Sequence, residues 1–172
     1  MDNREIEVRF PLDDSLKNKI KNLDFEPHNE LDEYFFTRET VLSRDRWLRL
    51  RQKHGKFFFE LKEKVRPRLF PDNISAMDET SCEISPAQYE TIKKCFQKNF
   101  PLKMEIKKTR SVARRNGCEI IYDQIENLGD FIEIEGDKEK IDEVCSSSGI
   151  DVKQTLPLGY AEMMLNKLNL SE

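Results

Sequence analysis

The chain has 172 residues, a length typical of one domain, and its composition is globular but highly charged, with 36% charged and 37% hydrophobic residues. Because 33 acidic residues nearly balance 29 basic ones, the net charge of −4 argues against a general nucleic-acid-binding protein, and any basic site must be local. No run approaches the ~18 apolar residues of a membrane span, and the opening residues MDNREIEV lack a signal peptide's apolar segment, so we expect one cytoplasmic domain over residues 1–172.

Four strands and one helix are predicted in the first part of the chain. The run EIEVRF alternates charged with apolar residues, as a half-buried strand does, and the spacing of apolar residues over 13–23 predicts a helix. His28 lies in the turn-like run EPHNE, and His54 with Gly55 reads as a hairpin tip, neither of which suits a catalytic histidine. The predicted strands are residues 4–10, 32–39, 46–52 and 56–64.

A loop, further strands and three helices are predicted in the rest of the chain. Two prolines and an asparagine mark residues 66–75 as a loop, and Asn116 with Gly117 marks a second hairpin. Ser85 followed by Pro86 is typical of a helix start. The strands are predicted over 79–85, 104–114, 118–126 and 130–136, and the helices over 85–100, 138–149 and 159–170. About eight strands with perhaps four helices indicate an α+β fold.

Charges of one sign are gathered on single strand faces. Residues two apart on a strand point to the same side, so Glu5, Glu7 and Arg9 share a face. The same alternation pairs the following residues: Glu133 with Glu135, Arg49 with Arg51, and Lys108 with Arg110. Such faces either meet bulk water or line a barrel, since eight closed strands enclose room for one small ligand. Strands of a single sign favour the barrel, with a polyanion and its metal ions inside.

The order of charged segments resembles the CYTH family, which groups class IV adenylyl cyclases, thiamine triphosphatases and related triphosphate tunnel metalloenzymes. The segments EIEVR, LDEYF, WLRLR, FFFELK, KKTR, IYDQIENLGDFIEIEG and LGYAEMML follow one another from Glu5 to about Leu165. The resemblance implies an eight-stranded antiparallel β-barrel that forms a closed tunnel, with helices packed outside and acids and bases projecting inward.

The resemblance also implies roles for particular residues. Mg²⁺ or Mn²⁺ would be held by carboxylates, since hard cations take oxygen ligands; the implied ligands are Glu5, Glu7, Asp123, Glu133, Glu135 and Glu83. The triphosphate would be gripped by Arg49, Arg51, Lys62, Lys108 and Arg110. Arg9 and Lys62 are the implied catalytic residues. Tyr160 matches the family's tyrosine in its segment, although core packing explains it equally well.

Two positions depart from the family pattern. Arg9 replaces the lysine of the signature ExExK, and because a guanidinium stays protonated, a general-base role cannot be carried over, whereas a grip on phosphate can. The strand MDETSCEIS lacks the family's arginine unless Arg66 or Arg68 replaces it from the loop.

These features predict a metal-dependent enzyme that hydrolyses a phosphoanhydride bond of inorganic triphosphate, thiamine triphosphate or ATP. The alternatives are a cyclase that converts ATP to cyclic AMP and pyrophosphate, and a binder of polyphosphate or nucleotides without turnover. Four dispersed cysteines without a CxxC pair are expected to be reduced thiols in or near the core. Whether chains pair as a homodimer is left open.

Overall fold

A computed structural model describes residues 3–65 and 75–168, and its strands form one closed barrel. Every neighbouring pair of strands is antiparallel, and the order around the barrel is β1-β5-β4-β3-β2-β6-β7-β8, with β8 returning to β1. The strands are β1 Asn3–Pro11, β2 Glu26–Phe36, β3 Arg46–Lys53, β4 Lys56–Lys64, β5 Ser75–Ile84, β6 Leu102–Arg115, β7 Cys118–Ile125 and β8 Gly129–Glu135. The predicted α+β class and the eight-stranded antiparallel barrel are confirmed.

Helices pack against the barrel or flank its strands. They are α1 Asp14–Ile20, α2 Arg38–Ser43, α3 Pro86–Asn99, α4 Lys138–Ser147 and α5 Tyr160–Lys167, with a single 3₁₀ turn at Val152–Gln154. α3 begins as predicted, because Ser85 caps the first turn and Gln88 returns the bond to the Ser85 backbone. The short helix α2 and the 3₁₀ turn were not predicted. Within the described residues, no helix is long and apolar enough to cross a membrane.

Three apolar clusters fix the helices in place. α1 and α4 cover the outer face of β1, β7 and β8 through residues such as Ile20 and Ile141. α3 covers the outer face of β2, β3 and β4, where Tyr89 is buried and Phe57 and Phe59 are half-buried. α5 packs against inward-facing residues of the barrel; its cluster includes Tyr34, Phe36, Trp47, Phe131, Tyr160 and Leu165.

Some local predictions were wrong. His28 lies inside β2 rather than in a turn, because β2 begins at Glu26 and runs for 11 residues. Cys82 and Cys95 are exposed, whereas only Cys118 and Cys145 are buried. The hairpin tips at His54–Gly55 and Asn116–Gly117 are confirmed, since all four residues have the positive φ that such two-residue turns require.

Candidate functional site: a charged tunnel inside the barrel

The barrel encloses a cavity of about 880 Å³ whose lining is strongly charged. Every strand except β7 contributes to its wall, and the segment 157–162, which leads into α5, closes one side. The charged lining residues from β1, β3, β4, β6 and β8 are Glu5, Glu7, Arg9, Arg49, Arg51, Lys62, Lys64, Lys108, Arg110, Glu133 and Glu135. The structure therefore brings together most of the residues that the sequence predicted for the site.

The wall formed by β1 and β8 carries crowded carboxylates. Glu7 stands directly opposite Glu135 in the β1–β8 register, and like charges in that position repel. Burial and the charges of Glu5 and Glu7 raise the pKa of Glu135 to about 7. Burial also raises the pKa of Glu7, although Arg9 opposes this effect. Glu135 has no ion-pair partner within residues 3–65 and 75–168, and the charge of Lys62 only partly offsets the repulsion from the neighbouring acids.

Glu5 and Lys62 connect this acidic wall to β4 and β5. Lys62 donates a hydrogen bond to Glu5 and lies 2.9 Å from the carboxylate of Glu79. Burial alone would raise the pKa of Glu5, but Lys62 outweighs burial and lowers it. The ammonium of Lys62 is also held charged, because Glu5 and Glu79 outweigh its burial and the repulsion from Arg49 to raise its pKa. Lys62 is therefore a cation here and not a general base.

The opposite wall carries buried arginines from β3. Arg51 donates from Nε and Nη2 to the two oxygens of Asp32, at 2.6 and 2.8 Å. Arg49 donates to Glu60 and, at 3.3 Å, to the hydroxyl of Tyr34. Both guanidinium groups are at most 6% exposed, so they are not the solvated strand residues of the surface alternative. A buried arginine with fixed direction is suited to bidentate recognition of phosphate.

Lys108 and Arg110 on β6 complete the cationic part. The ammonium of Lys108 lies 3.1 Å from Glu30 and 3.3 Å from Asp32. Arg110 forms a two-bond pair with Asp123 at 2.8 and 2.5 Å and reaches Glu133 at 2.8 Å. As expected from the strand alternation, the neighbour Lys107 points outward and is exposed.

All three nitrogen atoms of the Arg9 guanidinium donate hydrogen bonds. Its Nε donates to Glu133 at 2.7 Å, Nη2 to Glu7 at 2.7 Å, and Nη1 to the backbone carbonyl of Leu158 at 2.6 Å. Burial would raise the pKa of Glu133, but Arg9 and Arg110 outweigh it and lower the pKa to about 2. Because three acceptors in different directions are bound, a lysine at this position would keep the charge and lose the geometry.

Two of the predicted site residues lie in other surroundings. Asp123 is fully buried, but it is engaged by Arg110 rather than grouped with the acids of β1. Glu83 lies apart from the cavity lining, at the end of β5, where its side chain is 55% exposed and pairs with Lys56. Arg66 and Arg68, the candidates for the missing arginine of β5, lie outside the described residues.

Sequence reasoning missed four acids that neutralise the cations: Glu30, Asp32, Glu60 and Glu79. The run NELDEYF contains the signal, because Glu30, Asp32 and Tyr34 alternate just as Glu5, Glu7 and Arg9 do. Because His28 was predicted to lie in a turn, the strand alternation that joins Glu30 to Asp32 and Tyr34 was not recognised. Glu60 shares its strand face with Phe58 and Lys62, and Glu79 shares its face with Met77 and Ser81, so neither belongs to a tight alternation of charges like that of β1.

A second cavity of about 530 Å³ adjoins the β3–β4 hairpin, and Lys108 and Glu30 line it. Lys108 also lines the first cavity, so its side chain lies between the two cavities. His28 and His54 stack there with ring centroids 3.8 Å apart, and Nε2 of His28 lies 2.9 Å from Glu30. In the parts of the chain that are described, no three acidic, histidine or cysteine side chains are arranged to hold a metal ion.

The family model of the CYTH domain matches residues 3–159 of the sequence. The chain belongs to the CYTH family. No curated protein is significantly similar to it.

Solved structures share the fold over nearly the whole chain. A protein from Pyrococcus horikoshii OT3 is 25% identical, with a TM-score of 0.75 and coverage of 92% of this chain and 98% of that one. A conserved hypothetical protein from Pyrococcus furiosus is 26% identical, with a TM-score of 0.71 and coverage of 92% and 99%. A Hippeastrum protein described as having a dominant triphosphatase activity is 18% identical, with a TM-score of 0.63 and coverage of 98% and 96%, a likeness of fold alone.

Proposed function

We propose that this CYTH protein is a metal-dependent enzyme that hydrolyses a phosphoanhydride bond of an organic or inorganic triphosphate inside the barrel. The observation that carries the proposal is that one cavity combines crowded carboxylates, Glu5, Glu7 and Glu135 on β1 and β8, with buried cations from β3, β4 and β6. A polyanion with bound metal ions would suit both groups, because the metal ions would contact the carboxylates and the anion would contact the cations.

The cations are prepared for an anionic ligand. Arg49, Arg51, Lys108 and Arg110 are each held by carboxylates, which keep the guanidinium and ammonium groups oriented before any substrate arrives. Groups that are aligned in advance and shielded from water stabilise developing charge more strongly than mobile ones do. These residues would bind the phosphate chain and neutralise charge on the leaving group.

The carboxylates of β1 and β8 offer the oxygen atoms that Mg²⁺ or Mn²⁺ takes as ligands, and a bound ion would draw them together, since no three acids of the described residues already converge on one point. Glu7 and Glu135 face each other at a cost in repulsion, and Glu5 stands on the same face of β1. Hard oxygen ligands are those that both ions prefer, and a dication would remove the repulsion. When bound, such an ion would polarise phosphoryl oxygens and lower the pKa of a bound water. We assign Glu5, Glu7 and Glu135 to metal binding. Glu133 is not included, because both of its carboxylate oxygens are already bonded to Arg9 and Arg110.

An organic group on the triphosphate also finds room. The cavity wall includes Trp47, Val65, Met77 and Pro157, whose side chains are apolar or nearly so. Thiamine triphosphate and ATP are therefore candidates beside inorganic triphosphate. Hydrolysis makes fewer demands than cyclisation, because it needs no ribose hydroxyl aligned with the phosphate.

Product analysis tests the proposal. Purified protein would be incubated with inorganic triphosphate, thiamine triphosphate or ATP, each with Mg²⁺, Mn²⁺ or EDTA, and phosphate, pyrophosphate and cyclic AMP measured together. We expect metal-dependent release of phosphate, lost in Glu135→Gln and retained in Glu83→Gln, which removes an acid outside the cavity lining. Cyclic AMP with pyrophosphate would instead identify a cyclase. Tight binding without any product would leave a binding protein.

A further inference from the structure

The hydroxyl of Tyr160 is buried and has no hydrogen-bond partner within the described part of the chain. Two other buried oxygens lack a direct hydrogen bond, but both lie close to lysines: Glu30 Oε2 is 3.1 Å from Lys108, and Glu33 Oε1 is 2.7 Å from Lys103. Tyr160 is thus the buried side chain, among those described, whose polar atom has neither a hydrogen bond nor an ion pair.

Neighbouring groups fix the direction of the Tyr160 ring. The ring lies between Phe131, with centroids 5.3 Å apart, and the guanidinium carbon of Arg9, 4.2 Å from the centroid. Arg9 is itself held by Glu7, Glu133 and the carbonyl of Leu158. Because the ring is packed against these two groups, its direction is restricted, and Tyr160 is part of the cavity lining.

The surroundings of the hydroxyl indicate what it binds. A buried hydroxyl without a partner costs free energy, and such groups are rare in native proteins unless a ligand satisfies them. The guanidinium carbon of Arg9 and the ammonium of Lys108 lie 4.2 and 5.7 Å from the centroid of the Tyr160 ring. Two cations this close to Tyr160 favour an anionic ligand in the same part of the cavity. A phenol hydroxyl that donates a hydrogen bond requires an acceptor, and the oxygens of a charged phosphate chain act only as hydrogen-bond acceptors.

We propose that Tyr160 is a substrate-binding residue whose hydroxyl donates a hydrogen bond to a phosphoryl oxygen of the triphosphate in the cavity. This inference rests on the proposed function for the identity of the ligand, but it does not require turnover. It assigns to the first residue of α5 a direct part in recognition, in addition to its packing against Phe131.

The substitution Tyr160→Phe separates binding from packing, because it keeps the ring and removes only the hydroxyl. In the free protein this deletes an unpartnered polar group, so the melting temperature should stay the same or rise by about 2–4 °C. The affinity for inorganic triphosphate should fall by about 10- to 100-fold, the usual loss for a hydrogen bond to a charged acceptor. Packing alone cannot produce these two opposite changes.

Tyr122→Phe is a matched control. The hydroxyl of Tyr122 donates to Asp130 at 2.9 Å, and Tyr122 does not line the cavity. This variant should therefore lose stability and keep its affinity. Both variants and the wild type would be compared by calorimetric titration with inorganic triphosphate in EDTA, where a metal-dependent enzyme does not turn over, and by thermal unfolding without ligand.

The outcomes are distinguishable. Unchanged affinity in Tyr160→Phe overturns the inference, and so does a loss of stability as large as that of Tyr122→Phe, since the hydroxyl would then be bonded in the free protein. Absence of triphosphate binding by the wild type overturns it as well. If the wild type binds triphosphate but cleaves none with Mg²⁺ or Mn²⁺, the proposed hydrolysis fails, whereas a selective loss of affinity in Tyr160→Phe still supports the inference.

Discussion

The crowding of Glu135 against Glu5 and Glu7 should make the metal-free protein less stable as pH rises. Its carboxyl has a pKa of about 7 in the fold, against an ordinary value of 4.5 that we assign to the unfolded chain. The fold therefore favours the protonated form. This contribution to stability is complete below about pH 4.5 and is lost as pH rises through about 7.

The size of the effect follows from the pKa difference. One pKa unit corresponds to about 1.4 kcal/mol, so the change from 4.5 to about 7 sets an upper value of about 3 kcal/mol. Because the side chain is half-buried, solvent screens part of the repulsion, and we expect about 2 kcal/mol. Glutamine at this position is neutral at every pH. Glu135→Gln should therefore match the wild type at pH 5 and exceed it by about 2 kcal/mol at pH 8.

Urea unfolding in EDTA at pH 5 and pH 8 measures this difference. The control is Glu63→Gln, because Glu63 is 46% exposed and pairs with Arg46 at 3.2 Å. Removing that surface pair should change stability by less than about 1 kcal/mol at either pH. Equal stability of wild type and Glu135→Gln at pH 8 would refute the crowding of carboxylates on which the metal assignment depends.

Three further results are expected. Mg²⁺ or Mn²⁺ at a hundredfold excess over Kd should stabilise the wild type by about 2.7 kcal/mol in thermal unfolding, and this response should shrink in Glu135→Gln but persist in Glu83→Gln; a wild-type curve indifferent to both metals would contradict the site. Arg51→Ala should lower the free energy of urea unfolding by about 3 kcal/mol, the lower end of the loss for a broken buried ion pair, because buried Asp32 loses its two-bond partner and keeps only Lys108 and Arg49. A loss below about 1 kcal/mol would show that the two remaining cations or water replace Arg51. Arg9→Lys should reduce both the melting temperature and turnover, and unchanged values would show that only the charge of Arg9 is used.

Much of the barrel could be predicted because its strands obey local rules. Alternation marks β1 and β8, and Asn116–Gly117 and His54–Gly55 mark two hairpins directly. Local rules failed for β2, where Pro27 and His28 resemble a turn although β6 pairs with them along the whole strand. The helix α2 has six residues, too few for a periodic pattern, and its Thr37–Thr40 capping box is not the usual pairing of a hydroxyl with an acid or amide.

The sequence predicted which residues belong to the candidate site better than it predicted which of them form ion pairs. The sequence shows that Arg49 and Arg51 share a face, but only the register of β2 against β3 places Asp32 opposite Arg51. Arg9 was interpreted as a plain substitute for lysine, because its carbonyl partner Leu158 lies 149 residues away in the chain. Glu83 illustrates the reverse case, since sharing a face with Glu79 did not place it at the same depth in the barrel.

The pairing of the first strand with the last has a consequence for biosynthesis. Glu7 on β1 and Glu135 on β8 meet only when the barrel closes, across most of the length of the chain. During translation, β1 leaves the ribosome long before its partner β8 exists, so a nascent chain cannot assemble the acidic wall. Contacts between segments so distant in sequence form late and slowly. The repulsion between these two carboxylates is thus absent from incomplete chains and arises only when the finished barrel closes.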